Sequence, residues 1–120
     1  MALGNWDAHA KNTSFLYADA GSPVVAPLYD VVPIAEIEPR TTMLSLRVNG
    51  SLEFDRLSGG ALIAEATTWG MEPELACDVV RGCLDDLCNG IDAAAELYPK
   101  AAARHEDSAR RRVARLQVMA

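Results

Sequence analysis

Cysteine is scarce in this chain, nucleotide-binding glycine loops are missing, and aromatic residues make up only 6% of it. Each shortage closes off a class of function. The three cysteines, Cys77, Cys83 and Cys88, are odd in number, lack Cys-x-x-Cys spacing and have no histidine nearby. That argues against a disulfide framework or a zinc site, and they read as small core hydrophobes. No basic start followed by an apolar segment opens the chain and no run approaches bilayer length. Secretion and membrane spanning therefore lack support, and the cytoplasm is the expected location. Gly59-Gly60 belongs to neither a G-x-G-x-x-G nor a G-x-x-x-x-G-K string, so no phosphate-covering loop is expected there.

With 120 residues, half of them hydrophobic, the chain is expected to form one domain with a modest core. Its net charge of −6 is unevenly spread. Residues 1–56 carry four basic and seven acidic side chains, 57–98 one and eight, and 99–120 six and two. An acidic middle and a basic tail are expected to face one another within the fold. The overall sign should repel nucleic acid, although Arg110, Arg111, Arg112 and Arg115 leave salt-sensitive binding as a third reading.

What is present is concentrated in residues 4–34, GNWDAHAKNTSFLYADAGSPVVAPLYDVVPI. Gly4 and Asn5 suit a turn, and Trp6 is a bulky anchor able to pin the loop to what lies beneath it. Asp7, Asn12 and Asp30 offer carboxylate and amide oxygens, the hard ligands that Mg²⁺ prefers. Taken alone, the same three residues read rather as a helix cap, a turn closer and a turn acid. Thr13–Tyr17 and Val24–Leu28 are β-prone runs separated by the turn cluster Asp19-Ala20-Gly21-Ser22-Pro23. Paired as a hairpin, they would return Asp30 towards Asp7 and Asn12, with Phe15 and Leu16 in the core.

Residues 31–43, with Pro33 and Pro39, read as a connecting loop with a helical turn at Ala35–Ile37; Arg40, Thr41 and Thr42 are its polar groups. Met43–Val48, the turn Asn49-Gly50 and Ser51–Phe54 predict a second hairpin of architectural role. Ser58 is an N-cap for a helix carrying Leu62, Ala66 and a core Trp69, stopped by Gly70. Pro73 opens a longer helix whose apolar face is Ala76, Val80, Cys83, Leu84, Leu87 and Ile91, with a kink or break expected at Asn89-Gly90. Asp85, Asp86 and Asp92 point outward; neighbours on a helix diverge by about 100°, so the Asp85-Asp86 pair reads as a solvated face. A last helix follows Pro99 to about Val118, with Ala109, Val113 and Leu116 inward.

Protein kinases use a catalytic-loop Asp as proton acceptor, an Asn five residues on for one magnesium and a later Asp for the other. Asp7, Asn12 and Asp30 reproduce that order. With Gly4-Asn5, His9, Lys11, Tyr29 and Pro33 around them, the string resembles the catalytic segment of HipA-like serine/threonine kinases. Asp-x-His-x-x-Asn is also similar to the loop of phosphoinositide-type lipid kinases. The resemblance implies an α+β fold, mainly α with two small β-hairpins, corresponding to part of a kinase C-terminal lobe. It divides the single domain 1–120 into a catalytic and metal-binding segment (1–34), a hairpin (43–56) and a helical part (57–120).

The resemblance further implies Asp7 as base, His9 as a stabiliser of charge on the transferring phosphoryl group, and Lys11 as a phosphate contact. Asn12 and Asp30 become magnesium ligands, with ATP and Mg²⁺ as cofactors. It implies a protein substrate in the translation machinery and a HipB-like DNA-binding antitoxin partner. Without an N-terminal lobe the chain alone is expected to be inactive and to self-associate through a face including Trp6, Phe15 and Val31. The rival expectation is a non-catalytic interaction module derived from a kinase fragment.

Overall fold

A computed structural model describes residues 1–17, 21–38 and 40–117. Asp19, Ala20, Pro39 and Val118, which entered the turn, loop and helix-end expectations above, lie outside them. The architecture is mainly helical with two small antiparallel sheets. In chain order come β1 (Phe15–Leu16), β2 (Val24–Val25), α1 (Ile34–Ile37), β3 (Met43–Val48), β4 (Ser51–Glu53), α2 (Gly59–Thr68), α3 (Pro73–Leu97) and α4 (Pro99–Gln117). Among the described residues no helix is long and apolar enough to cross a membrane.

Local chemistry explains most of these limits. Asn49 and Gly50 both take positive φ, 48° and 77°, which sets a two-residue turn whose twist matches the flanking strands, and β3 pairs with β4 across it. The Ser58 hydroxyl accepts the Ala61 N–H at 3.0 Å and caps α2. Pro73 supplies the first residue of α3, where a missing N–H costs no intrahelical bond. Gly70, at φ 87°, follows the end of α2.

The core draws on most elements: Trp6 from the N-terminal loop, Ala35 from α1, Leu44 and Val48 from β3, Phe54, Leu57 and Ala61, then Leu84, Val113 and Leu116 from the long helices. Val113 and Leu116 are completely buried. Trp6, 5% exposed, packs on Phe54 with ring centroids 4.1 Å apart. It is therefore an anchor and no part of an exposed association face.

Several apolar expectations are corrected. Phe15 and Leu16 are 54% and 53% exposed, because β1 and β2 form a two-residue ladder with no buried face. Trp69 is 76% exposed, since α2 stops at Thr68 and the helical period does not extend to it; its indole N–H donates to Glu65 at 3.2 Å instead. Cys83 is exposed while Cys77 and Cys88 are half-buried; the face of α3 carrying Cys83 borders an open apolar recess of about 390 Å³ shared with Leu62 and Trp69. Finally, α3 runs without a break through Asn89-Gly90, an isolated helical glycine being tolerated at modest cost.

The basic tail does not face the acidic middle alone. Arg110 pairs with Asp92 on α3 and with Glu106 on its own helix at 2.7 Å, which raises the Arg110 pKa. Arg112 and Arg115 instead reach the first half of the chain. Arg112 bonds Glu36 at 2.6 Å, and Arg115 bonds Asp55 at 3.2 Å while its guanidinium lies 5.1 Å from the Phe54 ring centre. Arginines engaged in this way are withdrawn from phosphate contact, which weakens the nucleic-acid reading.

Glu36 on α1 accepts from Ser108 at 2.7 Å and from Arg112, and it lies 3.4 Å from the His105 ring nitrogen. The Ser108 hydrogen bond, then the Arg112 bond, hold its carboxyl down at about 2, against an ordinary 4.5. An unfolded chain binds this proton as pH falls through the ordinary value, whereas the native chain resists until the lower one. The stabilisation is therefore complete above pH 4.5 and lost between there and pH 2. Urea unfolding midpoints measured across that window should fall steeply for the wild type and less for Ser108→Ala.

Gly4 sits at φ 92°, its N–H bonded to the Met1 carbonyl at 2.8 Å and its carbonyl accepting the Ala35 N–H at 3.0 Å. A Cβ there would lie 2.8 Å from that of Ala35 and 3.2 Å from the Arg112 guanidinium. Gly4→Ala should cost roughly 1–3 kcal/mol in denaturant unfolding, from the left-handed backbone and the close approach together.

Candidate functional site

Trp6 places the residue that follows it. With its ring buried on Phe54, its carbonyl accepts both the Ser45 N–H (2.9 Å) and the Ser45 hydroxyl (2.5 Å) from β3. Asp7 is thereby fixed at the edge of the second hairpin, exposed, with the Ser45 hydroxyl 3.4 Å from its Oδ1. The backbone then folds tightly: His9 N–H to the Asp7 carbonyl (2.9 Å), Asn12 N–H to the His9 carbonyl (3.0 Å), and a 3₁₀ turn over Ala10–Asn12.

The first hairpin carries the chain out and back. Phe15 pairs with Val25 and Leu16 with Val24, and the Ala26 N–H donates to the Ser14 carbonyl at 2.8 Å. Tyr29 closes the return: its hydroxyl donates to the Lys11 carbonyl at 2.8 Å and shares a 2.8 Å hydrogen bond with the Ser14 hydroxyl. Asp30 then arrives beside Asn12, whose amide donates to the Asp30 Oδ2 at 3.2 Å and to the Asp7 carbonyl at 3.4 Å. Residues 18 apart in sequence thus meet through one amide.

His9 and Lys11 are not drawn into that cluster. His9 is half-buried, and its Nδ1 is buried without a hydrogen-bond partner among the described residues. Lys11 is exposed, and only its backbone carbonyl is engaged with the site, by Tyr29. Asp85 is exposed and bonded by Gln117 at 3.0 Å, and Asp86 is exposed.

Three contributors have no assigned role in the sequence reading. Ser45 belongs to a strand read as architectural, and nothing in an alternating strand pattern marks it. Tyr29 belongs to the family-like string, but its hydroxyl's reach to Lys11 is a tertiary fact. Asn5 suits a turn and belongs to the same string, but its burial to 7% exposure and its donation to the Asp30 carbonyl at 3.4 Å are likewise tertiary facts.

Oxygen donors of this kind, two carboxylates and an amide, fit Mg²⁺. They do not make a complete cage, and among the described residues no three His, Cys, Asp or Glu side chains are grouped to hold a metal. A cation here would share its remaining positions with water or substrate phosphate, as Mg²⁺ commonly does.

Tyr29→Phe should separate the hairpin from the loop without touching the acids. Loss of its two hydrogen bonds is expected to cost roughly 0.5–1.5 kcal/mol, with faster amide exchange confined to residues near Lys11 and Ser14.

No solved structure matches the chain. Over 111 residues it is 27% identical to a protein of Sinorhizobium fredii (strain NBRC 101917 / NGR234) named "Putative kinase Y4mE", a match covering 92% of this chain and 25% of that protein. The chain therefore spans about a quarter of the length of this curated relative. The sequence model of the HipA-like C-terminal domain matches residues 1–95, which takes in the whole loop, both hairpins and most of α3. On that match, the chain belongs to the HipA-like C-terminal domain family.

Proposed function

We propose that the loop is the phosphoryl-transfer centre of an ATP-dependent protein serine/threonine kinase. Asp7 accepts the substrate hydroxyl proton, Asn12 and Asp30 hold Mg²⁺, His9 stabilises charge on the phosphoryl oxygens and Lys11 contacts nucleotide phosphate. The supporting observation is the Asn12 amide bridging the Asp7 carbonyl and the Asp30 carboxylate. Chance spacing of acids along a chain does not require that meeting. Family membership and the kinase name of the Sinorhizobium relative support the same reading. Bound Mg²⁺ would neutralise phosphate charge as the bond to the leaving group lengthens. By the same family reasoning, the substrate is a protein of the translation machinery and the regulator a HipB-like DNA-binding antitoxin.

A second reading is a non-catalytic interaction module. It draws support from the exposed apolar side chains of the first hairpin, with Phe15 54% and Val25 61% exposed, and from the lack of a phosphate-covering glycine loop within these residues.

Catalysis of this class is positioning plus electrostatics, so the chain alone, without such a loop and its lysine, should not turn over ATP measurably. ATP turnover by the purified chain that disappears in Asp7→Asn would contradict this. Mn²⁺ titration should broaden NMR signals first around Asp7, Asn12 and Asp30, and Asp30→Asn should remove the effect. Broadening centred on Asp85 and Asp86 would overturn the metal assignment.

A further inference from the structure

We infer that Asn5 is the positioning residue for the Asp30 carboxylate, a role that rests on the proposed metal-binding reading of Asp7, Asn12 and Asp30. Asp30 has φ 55°, in the left-handed region that an L-residue adopts at a cost. A residue held there needs contacts that over-determine it. Two are present. The Asp30 side chain accepts from Asn12 at 3.2 Å on the exposed side, and its backbone carbonyl accepts from the Asn5 amide at 3.4 Å on the buried side.

The Asn5 amide is mounted on a rigid piece of chain. Gly4 before it is tied to α1 through the Ala35 N–H, and Trp6 after it is locked on Phe54 and bonded to Ser45. If the grip on its carbonyl is released, Asp30 is free to relax to negative φ, which rotates its Cβ and swings the carboxylate away from Asn12. Among the described residues no backbone N–H donates to the Asp30 carbonyl, so nothing there replaces the Asn5 amide.

A purely structural role explains the residue poorly. Asn5 is one of the most buried polar residues described, yet its Oδ1 has no hydrogen-bond partner among the described residues. An unpaired buried amide oxygen opposes folding, and an apolar side chain of the same shape avoids that cost. What only the amide supplies is the N–H donated to Asp30. Groups that orient a metal ligand typically change affinity by about 10- to 100-fold when removed.

The test uses Asn5→Leu, close in shape but without the donor, in three measurements. The urea unfolding midpoint should be unchanged or raised. In the metal-free protein, the Asp30 backbone amide and the Asn12 side-chain amide resonances should shift, with those of Leu97 at the C-terminal end of α3 unmoved. The Mn²⁺ dissociation constant, read from paramagnetic broadening, should rise about tenfold or more. Unmoved Asn12 and Asp30 resonances overturn the inference whether or not metal binds, and so does wild-type Mn²⁺ affinity in the variant. Shifted resonances in a protein whose wild type binds no Mn²⁺ at these residues would uphold the hold on Asp30 and defeat the metal reading instead. Should Asn5→Leu fail to fold, Asn5→Ala, which also lacks the donor, is read in the same way.

Discussion

The burial of Trp6 is the contact on which the rest of the arrangement depends. Its ring lies against Phe54, and the Phe54 ring in turn receives the guanidinium of Arg115 from α4. One aromatic pair thus joins the loop, the second hairpin and the last helix. Removing a buried tryptophan of this kind costs about 3–5 kcal/mol, a large share of what a domain this size has to lose. Asp7 is the next residue along. Its position at the surface is a consequence of where its neighbour is buried, and the two Ser45 hydrogen bonds to the Trp6 carbonyl remove the remaining freedom.

The helical half acts on the loop through α4. Val113 and Leu116 bury completely, which sets the rotation of the helix and aims Arg112 and Arg115 at the first half of the chain. Glu36 collects Arg112 and Ser108 on a one-turn helix that begins a few residues after Asp30. That short helix would have little stability of its own. Its place is held from outside, and with it the backbone of Ala35 that contacts Gly4. Support for the candidate site therefore runs from α4 through α1 to the turn preceding Asp7.

The two faces of the first hairpin show how far local pattern carries. Apolar runs flanking a turn cluster predict pairing, and the pairing forms. Apolar character also predicts burial, and here it does not follow, because a two-stranded ladder has no second layer among the described residues to bury it. Trp69 failed for a different reason. Helical periodicity assigned it a face, but the helix ended one residue earlier and its indole turned to Glu65.

By itself the sequence determined the elements whose signals are local: the Asn49-Gly50 turn, the Ser58 cap, the Pro73 helix start, the anchor role of Trp6 and the family-like string around Asp7, Asn12 and Asp30. Such features depend on backbone preferences and short-range hydrogen bonds, which a few neighbouring residues decide. Only the tertiary structure decided that Asn12 would bridge Asp7 and Asp30, that Ser45 would seat the loop, that Asn5 would grip Asp30 from beneath, and that the tail arginines would divide between α3 and the first half of the chain. Each of those contacts joins residues far apart in sequence or depends on where other elements lie, and no spacing rule contains the packing that brings them together.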